Sequence, residues 1–514
     1  MVSVGARSVS DGPVAPVIPQ AGNTGAAGRS LTLRAPTNHT GDTVDDPITL
    51  NGICGTTGKY LVPPIPVADA YDLARGKPPE SLLASWFRAV VSVLKRPKLG
   101  LPMDVDPTNV ARAGWAVVLP AGAAPELKNA VQPLIDHRKK NVPPDRCKVL
   151  EYRPGEGMKK WLARHGVAPG AIDPRKVPYY VTLVGGPADI PFDFQYLLDV
   201  EYAVGRLAFD TPGQLRRYAE GVVSLETASA AKTAKELVYW GPRHAADRST
   251  QMSADALITP LSDGTADDPP LAVLQQYRSR TFKAADATKA KLLETLHSTP
   301  PALLFTASHG MGWPKDDARQ RPAQGALLAQ DWPGFGQVGP QHYLTAAEVE
   351  DGANVGGLVA FLFACYGAGT PAFDNFLTER GRGPVAVAPA PFVAALPQRL
   401  LSHPNGPALA VVGHVERAWG YSIKPPGAGT QIGPFRDFLT RVLAGEPVGH
   451  ATKSFSERYA VLSSELLSYL DDSAAVTRPA AAELAACWAE RNDAQNYVLL
   501  GDPAARLRPD VMTG

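Results

Sequence analysis

The sequence of 514 residues is short of cysteine, of long apolar runs and of excess charge. Its four cysteines lie far apart and form no CxxC pair, which argues against a zinc knuckle or a disulfide framework and favours a reducing compartment. Lysine and arginine number 51 against 50 aspartate and glutamate, so no net field attracts nucleic acid. No run approaches the roughly 18 apolar residues of a membrane span, and no signal-peptide pattern opens the chain. We therefore expect a cytoplasmic protein with no membrane span and no nucleic-acid partner.

Cofactor motifs are also lacking. The stretch "GNTGAAGRS" has neither the spacing nor the lysine of a phosphate-binding loop, there is no HExxH, and no GxGxxG follows a predicted strand. We expect neither a cofactor nor a metal ion.

Composition divides the chain into four stretches. Residues 1–48 are rich in small residues and proline without periodicity, which predicts a flexible arm. Residues 49–150 form an N-terminal extension, in which "SLLASWFRAVVSVLK" (81–95) has the apolar spacing of a docking helix. Residues 151–232 predict a first β/α half, and residues 233–514 predict a second, catalytic half with a C-terminal closing segment.

Short apolar strands alternate with helical segments in the last two stretches. Strands are predicted in "YYVTLVGG", "EYAVGRLAF", "KELVYWG", "ALLFTAS", "LVAFLFA" and "ALAVVG". A crossover helix is expected to begin near Thr345, where Glu348 completes a capping box. Strands that are apolar throughout and separated by helices indicate an α/β fold with a mostly parallel sheet covered on both faces.

Two predicted strands end in residues that carry chemistry. "LLFTASHG" ends at His309 and Gly310, and "LVAFLFACYG" ends at Cys365. Because ligands gather at the carboxyl ends of parallel strands, we expect the imidazole and the sulfur to meet at one solvent-facing rim. A nearby histidine would activate the thiol, and the N–H groups of Gly310 and Cys365 would stabilise an oxyanion. Cys365 is then expected to react with thiol reagents before the other three cysteines.

The same residues resemble motifs of a known group. "SHG" and "ACYG" are similar to the His-Gly and Ala-Cys-x-Gly motifs of caspase-fold cysteine peptidases, a group that includes caspases, separase-like CHAT proteins and gingipains. "YYVTLVGGPADIPF", "EYAVGRLAF" and "YVLLGDPAARL" resemble segments of the gingipain-type and related bacterial members. These matches run from about residue 179 to residue 507.

The resemblance implies a caspase-like three-layer α/β/α fold in two β/α halves. It also implies a cysteine endopeptidase that cleaves protein or peptide substrates through a dyad of Cys365 and His309 and a thioacyl intermediate. Gingipains that cut after basic residues use an acid near the segment corresponding to 193–201. Asp199 is the first candidate for this substrate-binding acid, followed by Asp193 and Glu201, although a structural carboxylate fits each position equally.

Two other functions remain open. "GHVE" allows an amidohydrolase of the glutamine amidotransferase type that uses Cys365, His414 and Glu416, but the glycine of a nucleophile elbow is replaced by Phe363. In the peptidase, His414 would instead line the substrate pocket. A catalytically silent caspase-fold scaffold is the second alternative. The N-terminal extension is a candidate site for a regulatory partner, and we expect residues 50–150 to influence access to the His309 and Cys365 rim.

Overall fold

The computed structural model describes residues 51–76, 101–379, 383–418, 420–425, 428–471 and 478–512. The predicted arm at 1–48 and the predicted helix at 81–95 lie outside the described residues. The chain separates into two units, Met1–Gly41 and Asp42–Gly514. The architecture that follows is that of the second unit.

Among the described residues of the second unit, ten strands form the central sheet. In chain order they are β1 (Trp115–Pro120), β2 (Cys147–Tyr152), β3 (Tyr180–Val184), β4 (Ala203–Leu207), β5 (Ala234–Gly241), β6 (Arg278–Lys283), β7 (Pro301–Ala307), β8 (Val359–Phe363), β9 (Ala410–His414) and β10 (Tyr497–Gly501). Their spatial order is β2-β1-β3-β4-β10-β9-β8-β7-β5-β6. Four two-stranded ladders lie outside this sheet, pairing Ile53–Cys54 with Met311–Gly312, Leu327–Leu328 with Tyr343–Leu344, Gly369–Thr370 with Phe392–Val393, and Phe373–Glu379 with Gly383–Ala386.

The longer helices connect and cover these strands. They are α1 (Val67–Gly76), α2 (Pro125–Asn141), α3 (Met158–Arg164), α4 (Phe192–Asp199), α5 (Pro212–Thr227), α6 (Lys289–His297), α7 (Ala395–Leu401), α8 (Gly433–Leu443), α9 (Lys453–Asp471) and α10 (Arg478–Gln495). Shorter α, 3₁₀ and π segments are Val110–Ala113, Arg248–Met252, Ser253–Ile258, Thr259–Asp263, Leu271–Leu274, Ala284–Asp286, Gln320–Ala323, Pro340–His342, Ala346–Glu348, Gly420–Ser422, Val448–Ala451 and Pro509–Val511. Among the described helices, none has both the length and the hydropathy to cross a bilayer.

The sheet consists of two parallel halves that run in opposite directions. Strands β2, β1, β3, β4 and β10 are parallel to one another, and so are β9, β8, β7, β5 and β6. The halves meet where β10 pairs antiparallel with β9, with Val412 opposite Leu499. The predicted mostly parallel sheet is therefore confirmed.

Alternate side chains of the strands enter two hydrophobic cores, one on each face. In β7, Leu304 packs in the same core as Leu292 of α6. Its neighbours Leu303 and Phe305 pack in the other core with Phe435 of α8. Because successive strand side chains point to opposite faces, both faces must be covered by helices. The fold is the expected three-layer α/β/α arrangement.

The sequence prediction differs from the structure at the crossover before β8. The predicted capping box is present, since the Thr345 N–H donates to a Glu348 carboxylate oxygen at 2.9 Å. It opens only the 3₁₀ turn Ala346–Glu348, so the expectation of a helix was wrong. Strands β1 and β2 lie within the stretch interpreted as an N-terminal extension, where they form one edge of the main sheet.

A buried ion-pair cluster ties α2, α5 and the residue after β10 together. The Asp502 carboxylate accepts hydrogen bonds from the Trp115 indole, the Thr182 hydroxyl and the Arg138 guanidinium, at 2.6 to 2.9 Å. Arg138 also forms a two-bond pair with Glu226, at 2.6 and 2.7 Å. Burial opposes ionisation of Glu226, but Arg138 and His137 outweigh it and lower the pKa of Glu226 to about 2.

This shift predicts how acid destabilises the fold. The pKa of Glu226 is lower in the folded protein than its unfolded value of 4.5. The ionised carboxylate therefore stabilises the fold fully at pH values above 4.5. The stabilisation is lost as the pH falls toward 2, and its size is on the order of 3 kcal/mol. We expect Glu226→Gln to lower the melting temperature at pH 7 and to flatten its fall between pH 5 and pH 2.5, measured by circular dichroism. The exposed Glu126 of α2 provides the control Glu126→Gln, and equal slopes in all three proteins would contradict the assignment.

Candidate active site

Three adjacent strands of the sheet supply the polar side chains of the site. Ala307 at the end of β7 pairs with Phe363 at the end of β8, and His309 and Cys365 each follow two residues later. On the other side of β7, strand β5 leads into the loop that carries Asp247, the N-cap of the Arg248–Met252 helix. The carboxyl ends of β8, β7 and β5 therefore bring a thiol, an imidazole and a carboxylate to one edge of the sheet.

Gly310 fixes the spacing between the first two strand ends. A β-carbon added to Gly310 would lie 1.8 Å from the carbonyl oxygen of Cys365. Any other residue here would collide with backbone atoms, which cannot move aside as the end of a side chain can. The close packing of the two backbones thus holds the histidine loop against the cysteine, and it explains why glycine follows His309.

His309 is oriented by a buried carboxylate. Its Nε2 lies 2.7 Å from Asp247 Oδ2, and the two side chains are 1% and 4% exposed. Its Nδ1 accepts the Gly52 N–H at 3.1 Å, which assigns the ring proton to Nε2. Burial disfavours the Asp247 carboxylate, but electrostatic attraction and the hydrogen bond to the His309 ring, with the hydroxyls of Tyr60 and Thr250, hold the pKa of Asp247 well below its usual range. Asp247 is therefore ionised.

Cys365 is fully buried, so the expectation that it faces solvent is wrong for this structure. Its Sγ accepts the Ala418 N–H at 3.2 Å. Burial raises the pKa of the Cys365 thiol to about 12, more than the Ala418 N–H and the Arg417 charge lower it. The thiol is neutral at physiological pH in this conformation.

The cover over Cys365 is the segment Asn51–Leu61, which we call the N-terminal strap. Its Gly52 lies next to both His309 and Cys365: the nitrogen lies 3.1 Å from His309 Nδ1, and a β-carbon on Gly52 would lie 3.2 Å from Cys365 Sγ. Ile53 and Cys54 pair in parallel with Met311 and Gly312. The Tyr60 hydroxyl donates to the Asp247 carboxylate. The strap is the part of residues 50–150 that lies against His309 and Cys365, and the expected influence of these residues on access to the rim stays a prediction.

The backbone around Cys365 presents N–H groups. In the part of the chain that the structure describes, the N–H groups of Gly310 and Cys365 donate to no backbone or side-chain acceptor. The next residue, Tyr366, has a φ of 57°, a left-handed conformation that costs free energy in a non-glycine residue and is typical of functional sites. Its N–H is held by the Glu416 carbonyl at 2.8 Å. This turn keeps the Cys365 N–H unpaired.

The predicted substrate-binding carboxylates lie several strands away from His309 and Cys365. Asp199 and Glu201 precede β4, three strands from β8. Asp199 accepts hydrogen bonds from the Val204 N–H and the Ser456 hydroxyl, both at 3.0 Å. Glu201 accepts the Gly170 N–H at 2.7 Å. Burial raises the pKa of both carboxyls. The structure does not bring them into contact with His309 or Cys365, and their role in substrate binding stays a prediction, as does that of the exposed Asp193.

His414 ends β9, the strand beside β8, but both of its ring nitrogens are engaged elsewhere. Nδ1 lies 2.9 Å from the Glu416 carbonyl, and Nε2 lies 2.9 Å from the Asp493 carbonyl and 3.2 Å from its carboxylate. Burial opposes protonation, but the Asp493 carboxylate outweighs it and raises the pKa of His414. The structure therefore does not aim this imidazole at Cys365.

Glu416 is also committed to other partners. Its carboxylate accepts from Arg417 at 2.8 Å and from the Asn375 N–H at 3.1 Å. Burial and the neighbouring Asp374 raise the pKa of Glu416 to about 7, against the lowering effect of Arg417. An amidotransferase triad of Cys365, His414 and Glu416 is not assembled in this arrangement.

Asp247 is the site residue that the sequence analysis missed. It lies six residues beyond β5, after a proline and inside a helix start, so it does not end an apolar run as His309 does. The rule that carboxyl ends of adjacent parallel strands converge could have found it, had it been applied to "KELVYWG" and the polar residues that follow. Within the described ranges, no group of three or more His, Cys, Asp and Glu side chains is arranged to hold a metal ion.

Comparison with known proteins identifies the family of the chain. A family model for peptidase family C25 matches residues 122–508. Among solved structures, the chain is similar to the Arg-specific cysteine proteinase gingipain R, with 11% identity, a TM-score of 0.41, and coverage of 79% of this chain and 80% of that chain. The complex of RgpB pro- and mature domains from Porphyromonas gingivalis matches at 10% identity, a TM-score of 0.40, and 77% and 80% coverage.

The separase–securin complex of Saccharomyces cerevisiae matches at 10% identity and a TM-score of 0.29, over 63% of this chain and 15% of that one. No curated protein matches. Since these structural scores are low, the assignment rests on the family model. The fold and the matched family define a cysteine-type endopeptidase. The chain belongs to peptidase family C25, and the peptidase expectation is confirmed.

The burial of Cys365 changes the expected order of thiol labelling. Cys54 is half-buried. Burial alone would raise the pKa of its thiol, but hydrogen bonds from Thr56 and Thr57 outweigh burial and lower it. Cys365, in contrast, is buried and neutral. We expect iodoacetamide to modify Cys54 of the native full-length chain well before Cys365, as read by peptide mass mapping of timed samples. Cys487, which is also buried, serves as the slow internal reference. If Cys365 reacts as fast as Cys54, the strap does not cover the site in solution.

Proposed function

We propose that this endopeptidase uses Cys365 as its nucleophile, His309 as its general acid and base, and Asp247 as the residue that positions His309. The observation that carries the proposal is the convergence of three adjacent strand ends, with Gly310 packed on the Cys365 backbone and Asp247 2.7 Å from His309. The catalytic assignment goes beyond what family membership alone provides.

The proton transfers follow from the two faces of the imidazole. Asp247 engages Nε2, and Nδ1 binds the N–H of Gly52, a residue that lies next to Cys365 Sγ. Nδ1 therefore takes the thiol proton as the sulfur attacks the substrate carbonyl, and it then gives that proton to the leaving amine. The imidazolium formed in between lies against the ionised Asp247, which stabilises its charge and fixes the ring. Water releases the acyl group from the thioester in the second half of the reaction.

The tetrahedral intermediates need hydrogen-bond donors for the developing oxyanion. The N–H groups of Gly310 and Cys365 have no acceptor among the described residues, and the two residues pack backbone to backbone. Preorganised donors of this kind are typically worth 10²- to 10³-fold in turnover each. We assign the oxyanion site to these two groups.

Gly52 of the N-terminal strap lies next to Cys365 Sγ. The strap must therefore move away before the carbonyl of a separate substrate can reach the sulfur. A regulatory partner that binds the N-terminal extension would act through this step. A cytoplasmic location is part of the same proposal, supported by four free thiols. Fractionation of the native cells, followed by detection of the chain, tests the location.

Replacing the proposed nucleophile tests the assignment directly. We expect Cys365→Ala to abolish hydrolysis of a peptide library, read by mass spectrometry, while the melting temperature changes little. His309→Ala should lower turnover by about 10²- to 10⁴-fold, the usual contribution of a general acid and base. Undiminished hydrolysis by either variant would refute the dyad, and release of ammonia from glutamine by the wild type would support the amidotransferase alternative.

Replacing Asp247 tests its positioning role. Asp247→Asn keeps the size of the side chain but removes the charge that holds the imidazolium, so we expect kcat to fall at least about 10²-fold while KM changes little. Asp247→Glu, which restores the charge, should recover part of kcat. A variant that raises KM alone, or loses activity in proportion to loss of folded protein, would assign Asp247 a purely structural role.

A further inference from the structure

A second hydroxyl, besides that of Tyr60, holds the Asp247 carboxylate. The Thr250 hydroxyl donates to Asp247 Oδ2 at 2.7 Å, and this is the oxygen that lies 2.7 Å from His309 Nε2. Tyr60 binds the other oxygen, Oδ1, which also accepts the Ser249 N–H at 3.3 Å. Thr250 and His309 therefore share one carboxylate oxygen, and the Thr250 hydroxyl helps to set where that oxygen lies.

The hydroxyl proton of Thr250 has two neighbouring acceptors, and the distances decide between them. His244 Nδ1 lies 3.4 Å from the hydroxyl oxygen, whereas Asp247 Oδ2 lies 2.7 Å from it. The shorter contact is also the one to a charged atom, and charge-assisted hydrogen bonds are the stronger kind. The backbone N–H of His244 donates to the same hydroxyl oxygen at 3.1 Å. This N–H occupies the oxygen as an acceptor and leaves its proton to Asp247.

The short helix that carries Thr250 is anchored in the core. It continues directly into the π-helical segment Ser253–Ile258, whose Leu257 packs in the same core as Phe305 of β7. Thr250 itself is 1% exposed. Because β7 leads into His309 and closely packed cores resist displacement, the hydroxyl has a fixed position relative to the histidine.

Thr250 differs from Tyr60 in its relation to the N-terminal strap. Tyr60 belongs to the strap, which must move away before a separate substrate can reach Cys365. Thr250 lies outside the strap, so its hydrogen bond to Asp247 does not depend on the strap. The backbone N–H groups at the helix start are longer contacts, at 3.3 Å. The 2.7 Å bond from Thr250 thus stays with Asp247 in the open site, where the chemistry takes place.

From this geometry we propose that Thr250 is a positioning residue of the peptidase, which acts on catalysis through Asp247 and His309. The proposal rests on the proposed function and extends its chain of interacting groups by one member. The hydroxyl fixes Oδ2 without neutralising the carboxylate, so the imidazolium that forms during the reaction keeps its charged partner. Since Thr250 acts on the proton-transferring groups and not on the substrate, its loss lowers kcat more than it changes KM.

Removing the hydroxyl tests this role. Thr250→Val keeps the shape of the side chain but cannot donate to Asp247. We expect kcat for a peptide that the wild type cleaves to fall on the order of 10- to 100-fold, the usual worth of a hydrogen bond to a charged group, while KM changes little. Thr250→Ser, which keeps the hydroxyl, should retain most of kcat. Thr250→Cys, with a weak donor of similar shape, takes the place of the valine variant if that variant does not fold.

The matched control is a threonine that is buried to the same extent in another helix. Thr295 of α6 is 1% exposed, and its hydroxyl donates to the Lys291 carbonyl of the same helix at 2.9 Å. Thr295→Val therefore loses a buried hydroxyl without changing the surroundings of Asp247. We expect this variant to lose some thermal stability, read from its melting temperature, and to keep the wild-type kcat per folded molecule.

A double variant separates positioning from a general structural effect. Once Asp247→Asn has removed the charge, the Thr250 hydroxyl has no carboxylate left to position. Adding Thr250→Val to Asp247→Asn should therefore lower kcat little further than Asp247→Asn alone does. A double variant whose loss equals the product of the two single losses overturns the proposal, because the two residues then act independently. Equal losses in Thr250→Ser and Thr250→Val, or a loss that only follows the fraction of unfolded protein, overturn it as well.

The outcomes also distinguish this proposal from the proposed function. If the wild type cuts the peptide library and Asp247→Asn lowers kcat, but Thr250→Val keeps the full kcat, the role of Thr250 is overturned and the peptidase site stands. A wild type that cuts no peptide, or an Asp247→Asn variant with unchanged kcat, overturns both the proposed role of Asp247 and that of Thr250.

Discussion

The contact between the backbone of Gly310 and the carbonyl of Cys365 is the constraint on which the site depends. Two parallel strands end level with each other, and a glycine without a β-carbon lets the loop after one lie directly on the turn after the other. This contact holds the residue after His309 against the backbone of Cys365. The N–H groups of Gly310 and Cys365 have no acceptor among the described residues, which is why the proposed oxyanion site uses them.

Charge burial explains why the site is closed by the strap. An ionised Asp247 at 4% exposure is stable only with hydrogen bonds from its surroundings, and these come from His309, from its own helix N-terminus and from Tyr60 of the strap. The strap therefore completes the solvation of the carboxylate as it covers the thiol. Displacement of the strap would expose Asp247 and the thiol to water, and burial would then no longer raise the pKa of Cys365.

The sequence predicts those features that depend on local pattern. Apolar runs identified the strands, and the rule for parallel strand ends paired His309 with Cys365. Asp247 was missed because it lies in a helix cap beyond its strand. The reversal of direction at β9 and β10 depends on a strand that returns from residue 497, and the strap depends on contacts across half the chain. Neither leaves a periodic signal, so the burial of Cys365 was not predicted.

The two halves of the sheet, which meet at the antiparallel pair of β9 and β10, contain different groups of polar residues. The half that contains β5, β7 and β8 carries the thiol, the imidazole and the carboxylate at its strand ends. The other half carries the buried Asp502, Arg138 and Glu226 cluster, which binds strands β1 and β3 to helices α2 and α5 through charge-assisted hydrogen bonds. Strand β10 belongs to the second of these halves but pairs with β9 of the first. The half with this cluster is therefore joined to the half with the candidate site through one strand pair. The strap can leave without breaking the central sheet, because it pairs with Met311 and Gly312 outside that sheet.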